Sequence, residues 1–231
     1  MKKLSEYFKL KSEDFFESFQ NCSIRSSKDD IHDIRVAIKK IRAVISFIIY
    51  QGNEEKTPDL LKTLKPLFKK AGKIRETQMH MELLKGHVKD KEKTALLLIL
   101  EELKKEDANG FYKELGHFDF HRFLESGEVL KEKIKLIEAD EFETQSRKFV
   151  NEKLKLTHTM AKTSFDSNLH RIRKEIKIIT EILKMRIAIN PDKTEHKISI
   201  NIKKLSDHIG DWHDFDVLVK WLDKISGNEK T

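Results

Sequence analysis

Two segments of the chain repeat one helical pattern, and this repeat constrains the fold more than any other feature. "HDIRVAIKKIR" begins at His32, and "HRIRKEIKII" begins 138 positions later at His170. Both contain His-x-x-Arg-x-x-x-Lys inside a run of isoleucines whose spacing is typical of an amphipathic α-helix. A repeat in a fixed register predicts two related structural units.

A second pair of segments keeps the same register. "KAGKIRETQM" aligns with "HIGDWHDFDV" at the 138-residue shift, which places Gly72 over Gly210 and Glu76 over Asp214. Two separate blocks in one register favour an internal duplication over chance. The second unit ends soon after Leu222, whereas the first continues into a further helix. The two units are therefore related without being complete copies.

Helical periodicity extends over most of the chain, which has only three prolines and eight glycines to interrupt it. No stretch shows sustained alternation of apolar and polar residues, so we predict an all-α fold. The predicted helices are 4–20, 29–50, 58–71, 76–88, 91–108, 118–150 with a break near Gly127, 163–188, 195–208 and 213–225. The clearest predicted loops are Gln51–Asp59 and Ile189–Thr194.

Length and composition limit the class of protein. We predict one domain over residues 1–231, with related helical halves 1–115 and 116–231. The formal charge of +7 suits an acidic partner. A single cysteine, Cys22, excludes an intramolecular disulfide and fits a reducing cytosol. The N-terminus lacks the apolar segment of a signal peptide, and "ALLLIL" is too short to span a bilayer, so we expect a cytoplasmic protein with no membrane partner.

The cations of each repeated helix share one side of it. At 100° per residue they fall in a sector of about 80° that borders the isoleucine stripe. The first strip is His32, Arg35, Lys39 and Arg42, and the second is His170, Arg173 and Lys177. A solvated face would lie opposite the core. Strips that border the core therefore predict an anion-binding groove between helices.

With their Gly-x-x-[Arg/His]-[Asp/Glu] blocks, the two helices resemble the CHAD domain family, the conserved histidine α-helical domain. The resemblance covers nearly the whole chain. It implies two related antiparallel helical bundles about a pseudo-twofold axis, and binding of inorganic polyphosphate without catalysis, in association with polyphosphate granules. The chain departs from the family pattern in three places: at Thr180, where arginine is common, at Glu76, where aspartate is typical, and in "RETQM", which is a loose form of its block.

The resemblance also implies which residues bind polyphosphate. It implies binding at His32, Arg35, Lys39, Arg42, Lys65, His170, Arg173, Lys177 and Lys203, and Lys69 and Arg75 are further candidate binding residues. No catalytic residue, metal or cofactor is expected. Glu76 and Asp214 have two interpretations that the sequence leaves open. Either they hold a neighbouring cation in place, or they lie in the first turn of a helix and complement its dipole.

Other functions use the same residues. The cationic strips could follow a nucleic-acid backbone, although few aromatic side chains accompany them for base stacking. His-Asp pairs at His32-Asp33 and His213-Asp214 resemble part of a metal-dependent phosphohydrolase, but such a site needs further ligands. Trp212 and Trp221 are expected in the core rather than at a ligand.

Overall fold

A computed structural model describes residues 2–24, 27–52, 59–87, 90–163 and 165–227 of the chain. Within these ranges the chain forms eight α-helices and no β-strand, as the all-α prediction required. The helices are α1 (Lys2–Ile24), α2 (Lys28–Tyr50), α3 (Asp59–His87), α4 (Asp90–Gly116), α5 (Phe120–Lys135), α6 (Ala139–Thr163), α7 (Phe165–Ile189) and α8 (Lys193–Ile225). None of these described helices is both long and apolar enough to cross a membrane.

The start of α2 shows how local sequence sets the helix that carries the first strip. Ser27 Oγ accepts a hydrogen bond from the backbone N–H of Asp30 at 3.1 Å, and the Asp30 carboxylate accepts one from the N–H of Ser27 at 2.7 Å. This reciprocal capping satisfies two donors that a helix otherwise leaves free. The isoleucine stripe of α2 is then fully buried, at Ile34, Ile38, Ile41 and Ile45.

Two predicted helix breaks are wrong. The segments predicted as 58–71 and 76–88 form the single helix α3, and those predicted as 195–208 and 213–225 form the single helix α8. Gly72 and Gly210 each lie inside these helices. A glycine inside a helix costs only about 1 kcal/mol relative to alanine, which the packing of a long helix offsets.

The segment 118–150 does divide into two helices, but not near Gly127. Helix α5 ends at Lys135 and α6 begins at Ala139. In the turn between them, Leu136 points into solvent while Ile137 is buried in the core. Tertiary packing of Ile137 therefore places the break. The loop predicted at Ile189–Thr194 is confirmed as a short turn before α8, while most of Gln51–Asp59 lies outside the described residues.

The helix bounds are consistent with the duplication. Shifting α2 by 138 residues gives 166–188, against Phe165–Ile189 for α7. The same shift carries α1 onto α6 and α3 onto α8. In chain order, helices α4 and α5 lie between these two sets of helices. The assignment of residues 1–115 and 116–231 as halves of one domain stays a prediction.

One hydrophobic core runs through both sets of helices. It includes residues of α1, α2 and α3 together with residues of α6, α7 and α8. Helix α2 packs directly on α7, so the two repeated helices lie side by side. A smaller cluster of Met81, Leu84, Leu100 and Leu218 joins α3, α4 and the end of α8.

Candidate functional site

Four cations from the two repeated helices form one group. They are Arg35 and Lys39 of α2, and Arg173 and Lys177 of α7, and we call them the basic cluster. The charges act on one another across the α2–α7 boundary. Arg173 lowers the pKa of both Arg35 and Lys39, and Lys39 lowers the pKa of Lys177. The two strips that the sequence predicted thus converge at this boundary.

The basic cluster is half-buried because its members flank the core stripe of each helix. Ile34 and Ile38 are buried beside the first pair, and Ile172 and Ile176 beside the second. Burial removes water from the charged form of a cation and so lowers its pKa. This geometry follows from the placement of the strips beside the core.

The lysines of the basic cluster have strongly lowered pKa values. Burial first, and then the neighbouring cations, lower the pKa of Lys39 to about 8 and that of Lys177 to about 7. The pKa of Arg35 falls to about 10 for the same reasons. Among the described residues, neither lysine forms an ion pair within 4.0 Å. The cluster therefore holds positive charge that its protein neighbours do not fully balance.

Arg35 is held by α3. Its Nη1 donates to the backbone carbonyl of Phe68 at 3.1 Å, and its guanidinium lies 4.6 Å from the centre of the Phe68 ring. Arg42 lies over the same ring at 4.9 Å. Gly72, one turn further along α3, leaves the space that Arg35 occupies, since a Cβ built there would lie 2.7 Å from Arg35 Nη1. Gly72 thus permits a close side-chain approach and does not break the helix.

Arg173 is held differently. Its Nη2 lies 3.8 Å from Asp214 Oδ1 on α8, and His213 Nδ1 lies 3.2 Å from the same oxygen. Burial opposes ionisation of Asp214, but the hydrogen bond with His213 and the charge of Arg173 lower its pKa overall. The Nε of Arg173 is buried and has no hydrogen-bond partner in the described part of the chain.

The two halves differ most around Phe68, the ring against which Arg35 and Arg42 lie in the first half. At the 138-residue shift, Ser206 stands in the place of Phe68 and Thr180 in the place of Arg42. Thr180 is buried, and its hydroxyl donates to the Ile176 carbonyl at 2.7 Å. The second half therefore lacks both the ring and the arginine that stacks on it.

The structure excludes one of the two interpretations of the acids. Glu76 and Asp214 lie deep inside α3 and α8, far from the first turn of either helix. The interpretation as dipole partners is therefore wrong. Asp214 pairs with Arg173 as the other interpretation required. Partial burial and the charge of Asp107 raise the pKa of Glu76, while His213, Lys73 and Arg35 oppose that rise.

The two repeated histidines have different surroundings. His32 is exposed at the start of its strip. His170 Nε2 lies 3.5 Å from Asp216 Oδ2, and its ring packs edge-on against His213 at 5.1 Å and near Trp212 at 5.8 Å. Partial burial and the charge of His213 lower the pKa of His170.

The remaining predicted cations lie on α3 and α8. Arg75 pairs with Glu82 at 3.8 Å and still lowers the pKa of Arg35. Lys203 is exposed and pairs with Asp207 at 3.4 Å within α8. Lys65 and Lys69 are exposed on α3.

Sequence reasoning missed two partners of the site. The Phe68 ring packs against the guanidinium groups of Arg35 and Arg42. From sequence alone, a phenylalanine in a helical pattern predicts a core residue. Asp216 contacts His170, and no motif marked it. Trp212 was expected in the core but is 39% exposed beside His170. Trp221 is partly buried against the smaller cluster, as expected.

Potential metal ligands are dispersed in the part of the chain that the structure describes. No three His, Cys, Asp or Glu side chains are grouped there so as to hold an ion.

Comparisons with known proteins identify the family. The family model for the CHAD domain matches residues 16–223. The fold is also that of a crystal structure of the CHAD domain from the plant Ricinus communis, with a TM-score of 0.82 and 13% sequence identity. That match covers 99% of this chain and 79% of the plant chain. No curated protein matches the sequence. With the family model matching most of its length, the chain belongs to the CHAD domain family.

Proposed function

We propose that the protein binds inorganic polyphosphate in a basic groove along the two repeated helices, and that it does so without catalysis. One observation carries the proposal. Arg35, Lys39, Arg173 and Lys177 lie together and half-buried, and the charge of Arg173 lowers the pKa of the other three. Such a group destabilises the free protein through self-repulsion. A polyanion that enters between the helices relieves this repulsion.

The chemistry of polyphosphate fits these side chains. The polymer carries about one negative charge per phosphate unit and offers oxygens as acceptors, without base edges to be read. Arginine supplies a planar pair of donors, and lysine supplies a compact charge. The basic cluster contains two of each, contributed equally by both halves. Polyphosphate binding is also what the family resemblance implies.

Binding without hydrolysis is supported by the positions of the acids. Asp214 is engaged with Arg173 and His213. An acid that is already paired with a cation is suited to hold that cation towards a ligand. The proposed role of this acid is therefore positioning. We propose a cytoplasmic location on polyphosphate granules, which follows from the proposed ligand.

A competition experiment tests the proposed function. Labelled long-chain polyphosphate is titrated with the protein at physiological salt, and is then displaced by unlabelled polyphosphate, single-stranded DNA or double-stranded RNA. We expect displacement by polyphosphate at far lower phosphate concentration than by either nucleic acid. The affinity should fall steeply with salt, because released counterions drive the association.

The same samples decide between binding and catalysis. Incubation with magnesium or manganese should release no orthophosphate and leave the chain length unchanged. Stoichiometric displacement by nucleic acid would establish the alternative, a backbone-binding module. Shortening of the polymer would establish an enzyme.

A further inference from the structure

Helix α8 exposes an apolar stripe along most of its length. Ile198, Leu205, Trp212 and Val219 are spaced by seven residues, and their exposed fractions are 42%, 44%, 39% and 54%. Phe215, on the same side, is 42% exposed. The four spaced residues form one of the two positions per heptad by which one helix packs along another, and the second position holds Asn201, His208, Phe215 and Leu222. Contiguous apolar patches of this kind on a protein surface are typical of interaction sites.

The counterpart of this stripe in the first half is buried. At the 138-residue shift, the four spaced positions correspond on α3 to Leu60, Leu67, Ile74 and Met81. All four of these are buried, with exposed fractions of 1%, 0%, 4% and 7%. The same helical face is thus covered in the first half and uncovered in the second.

Helices α4 and α5 cover the face of α3. The Thr77 hydroxyl donates to Asp107 of α4 at 2.9 Å, and Leu84 packs with Leu100. Rising positions on α3 meet falling positions on α4, so α4 runs antiparallel to α3. At the start of α3, an ion pair of 3.3 Å joins Asp59 to Arg122 of α5. No helix takes the corresponding place on α8 in the described ranges.

We propose that a second copy of this chain covers the stripe, with the two α8 helices packed antiparallel across a twofold axis. The axis would pass near the middle of the stripe, close to residues 207–208. A twofold axis perpendicular to both helices places the α8 of the second copy antiparallel on this stripe, as α4 lies antiparallel on α3. The two stripes interdigitate, so each stripe side chain is buried in both copies of the dimer.

Charges beside the stripe favour the antiparallel arrangement. Lys204 and Asp211 each precede a stripe residue by one position, so both lie on the same flank. Both are exposed, and among the described residues neither forms an ion pair. In an antiparallel twofold pair the same flanks face each other, so Lys204 of each copy meets Asp211 of the other. A parallel pair would instead place this flank against the opposite one.

Sedimentation equilibrium of the ligand-free protein tests the proposal. We expect a monomer–dimer equilibrium with a Kd in the micromolar range. Leu205→Glu should weaken dimerisation by roughly a hundredfold or more, because it puts two charges into the apolar centre. Val129→Glu, at an exposed apolar position on α5, is the matched control and should leave the Kd unchanged.

A charge exchange tests the arrangement. Lys204→Glu should weaken the dimer by about tenfold, since each copy loses one pair and gains a repulsion. The double variant Lys204→Glu/Asp211→Lys should restore the wild-type Kd. A wild-type protein that stays monomeric to millimolar concentration would overturn the proposal, as would a dimer insensitive to Leu205→Glu. Failure of the charge exchange to restore the dimer would overturn the antiparallel arrangement. None of these outcomes depends on what the basic cluster binds.

Discussion

The guanidinium of Arg35 occupies the space in which a side chain at position 72 would begin. A Cβ on Gly72 would lie 2.7 Å from Arg35 Nη1, whereas a Cβ on Gly210, its counterpart in the second half, would meet no atom within 4 Å. The two glycines are equivalent in sequence and differ in their surroundings. Gly72 leaves room for a cation of the basic cluster, and a side chain at position 210 would meet no such neighbour.

We therefore expect Gly72→Ala to weaken polyphosphate binding. The added methyl group displaces Arg35 from the Phe68 carbonyl, and affinity should fall about tenfold, which is about 1.4 kcal/mol and slightly less than the roughly 1.5–3 kcal/mol of a full charge-assisted contact. Fluorescence anisotropy with labelled polyphosphate measures the change. Gly210→Ala is the matched control. It should leave affinity unchanged and raise the free energy of unfolding by about 0.5–1 kcal/mol, because alanine is the better helix former. Equal affinities for the two variants would contradict the positioning role of Gly72.

Removal of a charge from the basic cluster should stabilise the free protein. Lys177→Met keeps the length of the side chain and removes both its desolvation and its repulsion from Arg173 and Lys39. We expect a gain on the order of 1 kcal/mol, or about 2–4 °C in Tm. Polyphosphate affinity should fall in the same variant. Lys155→Met, at an exposed position of α6 away from the candidate binding residues, should change neither Tm nor affinity appreciably.

The gain from Lys177→Met should depend on pH with a definite sign. The pKa of Lys177 is about 7 in the folded protein and ordinarily 10.5. Above pH 10.5 both folded and unfolded chains are neutral there, and the lysine carries no penalty. As pH falls, the unfolded chain takes up a proton that the folded chain resists, and the penalty is complete below about pH 7. Thermal melts from pH 6 to 9 should show the advantage of the variant shrinking as pH rises. An advantage that grows with pH would contradict the lowered pKa.

Polyphosphate affinity should weaken as pH rises through the lysine pKa values. A bound polyanion favours the charged forms of Lys177 and Lys39, whose pKa values are about 7 and about 8 in the free protein. Binding therefore takes up protons in this window. Isothermal titration in buffers of different ionisation enthalpy measures that uptake. Lys177→Arg keeps its charge at these pH values and should flatten the lower part of the profile.

A contribution from His170 should appear at lower pH. The pKa of His170 is lowered in the free protein, so any gain of charge on binding lies below the lysine window. The double variant His32→Gln/His170→Gln should blunt the rise in affinity towards pH 5.5 and leave the upper window unchanged. Parallel profiles for wild type and double variant would mean that neither histidine is a charged ligand.

A buried ion pair outside the site should control stability. Arg186 of α7 is 1% exposed and binds Glu195 of α8 and Glu143 of α6, the latter pair at 2.7 Å. Glu195→Ala leaves part of a buried charge unpaired, and we expect a loss of about 3–5 kcal/mol in the free energy of unfolding. Arg147→Ala, which removes an exposed partner of the same acids, should cost less than about 1 kcal/mol. Similar losses for the two variants would contradict the greater importance of the buried Arg186 pair over the exposed Arg147 pair.

Much of the fold and the centre of the site could be predicted from sequence. Periodicity requires only local spacing, so the all-α fold and the position of the cationic strips beside the core were predicted correctly, while several helix ends were not. The repeat predicted two equivalent strips, and it is the packing of α2 on α7 that brings Arg35 near Arg173. The extent of α3 and α8 was not predictable, because a single glycine is a weak local signal that packing overrides.

Other features depend on contacts between distant segments. The pairing of Arg35 with Phe68 joins residues 33 positions apart, and no local pattern distinguishes a platform from a core ring. Arg186 stands where the first half has Ile48, so the repeat itself gave no reason to expect a buried charge there. The open stripe of α8 required knowledge of which helix covers α3.

Binding by both halves is the central claim, and the arginines of the basic cluster test it most directly. Arg35→Ala and Arg173→Ala are titrated against long-chain polyphosphate, with Arg171→Ala as control, an exposed arginine two positions from Arg173 on the same helix. Each cluster variant should lose about 1.5–3 kcal/mol of binding free energy, while the control keeps nearly all of it and all three melt normally. If Arg35→Ala and Arg173→Ala bind as the control does, or if only one half matters at every chain length, the basic cluster is not the shared binding site.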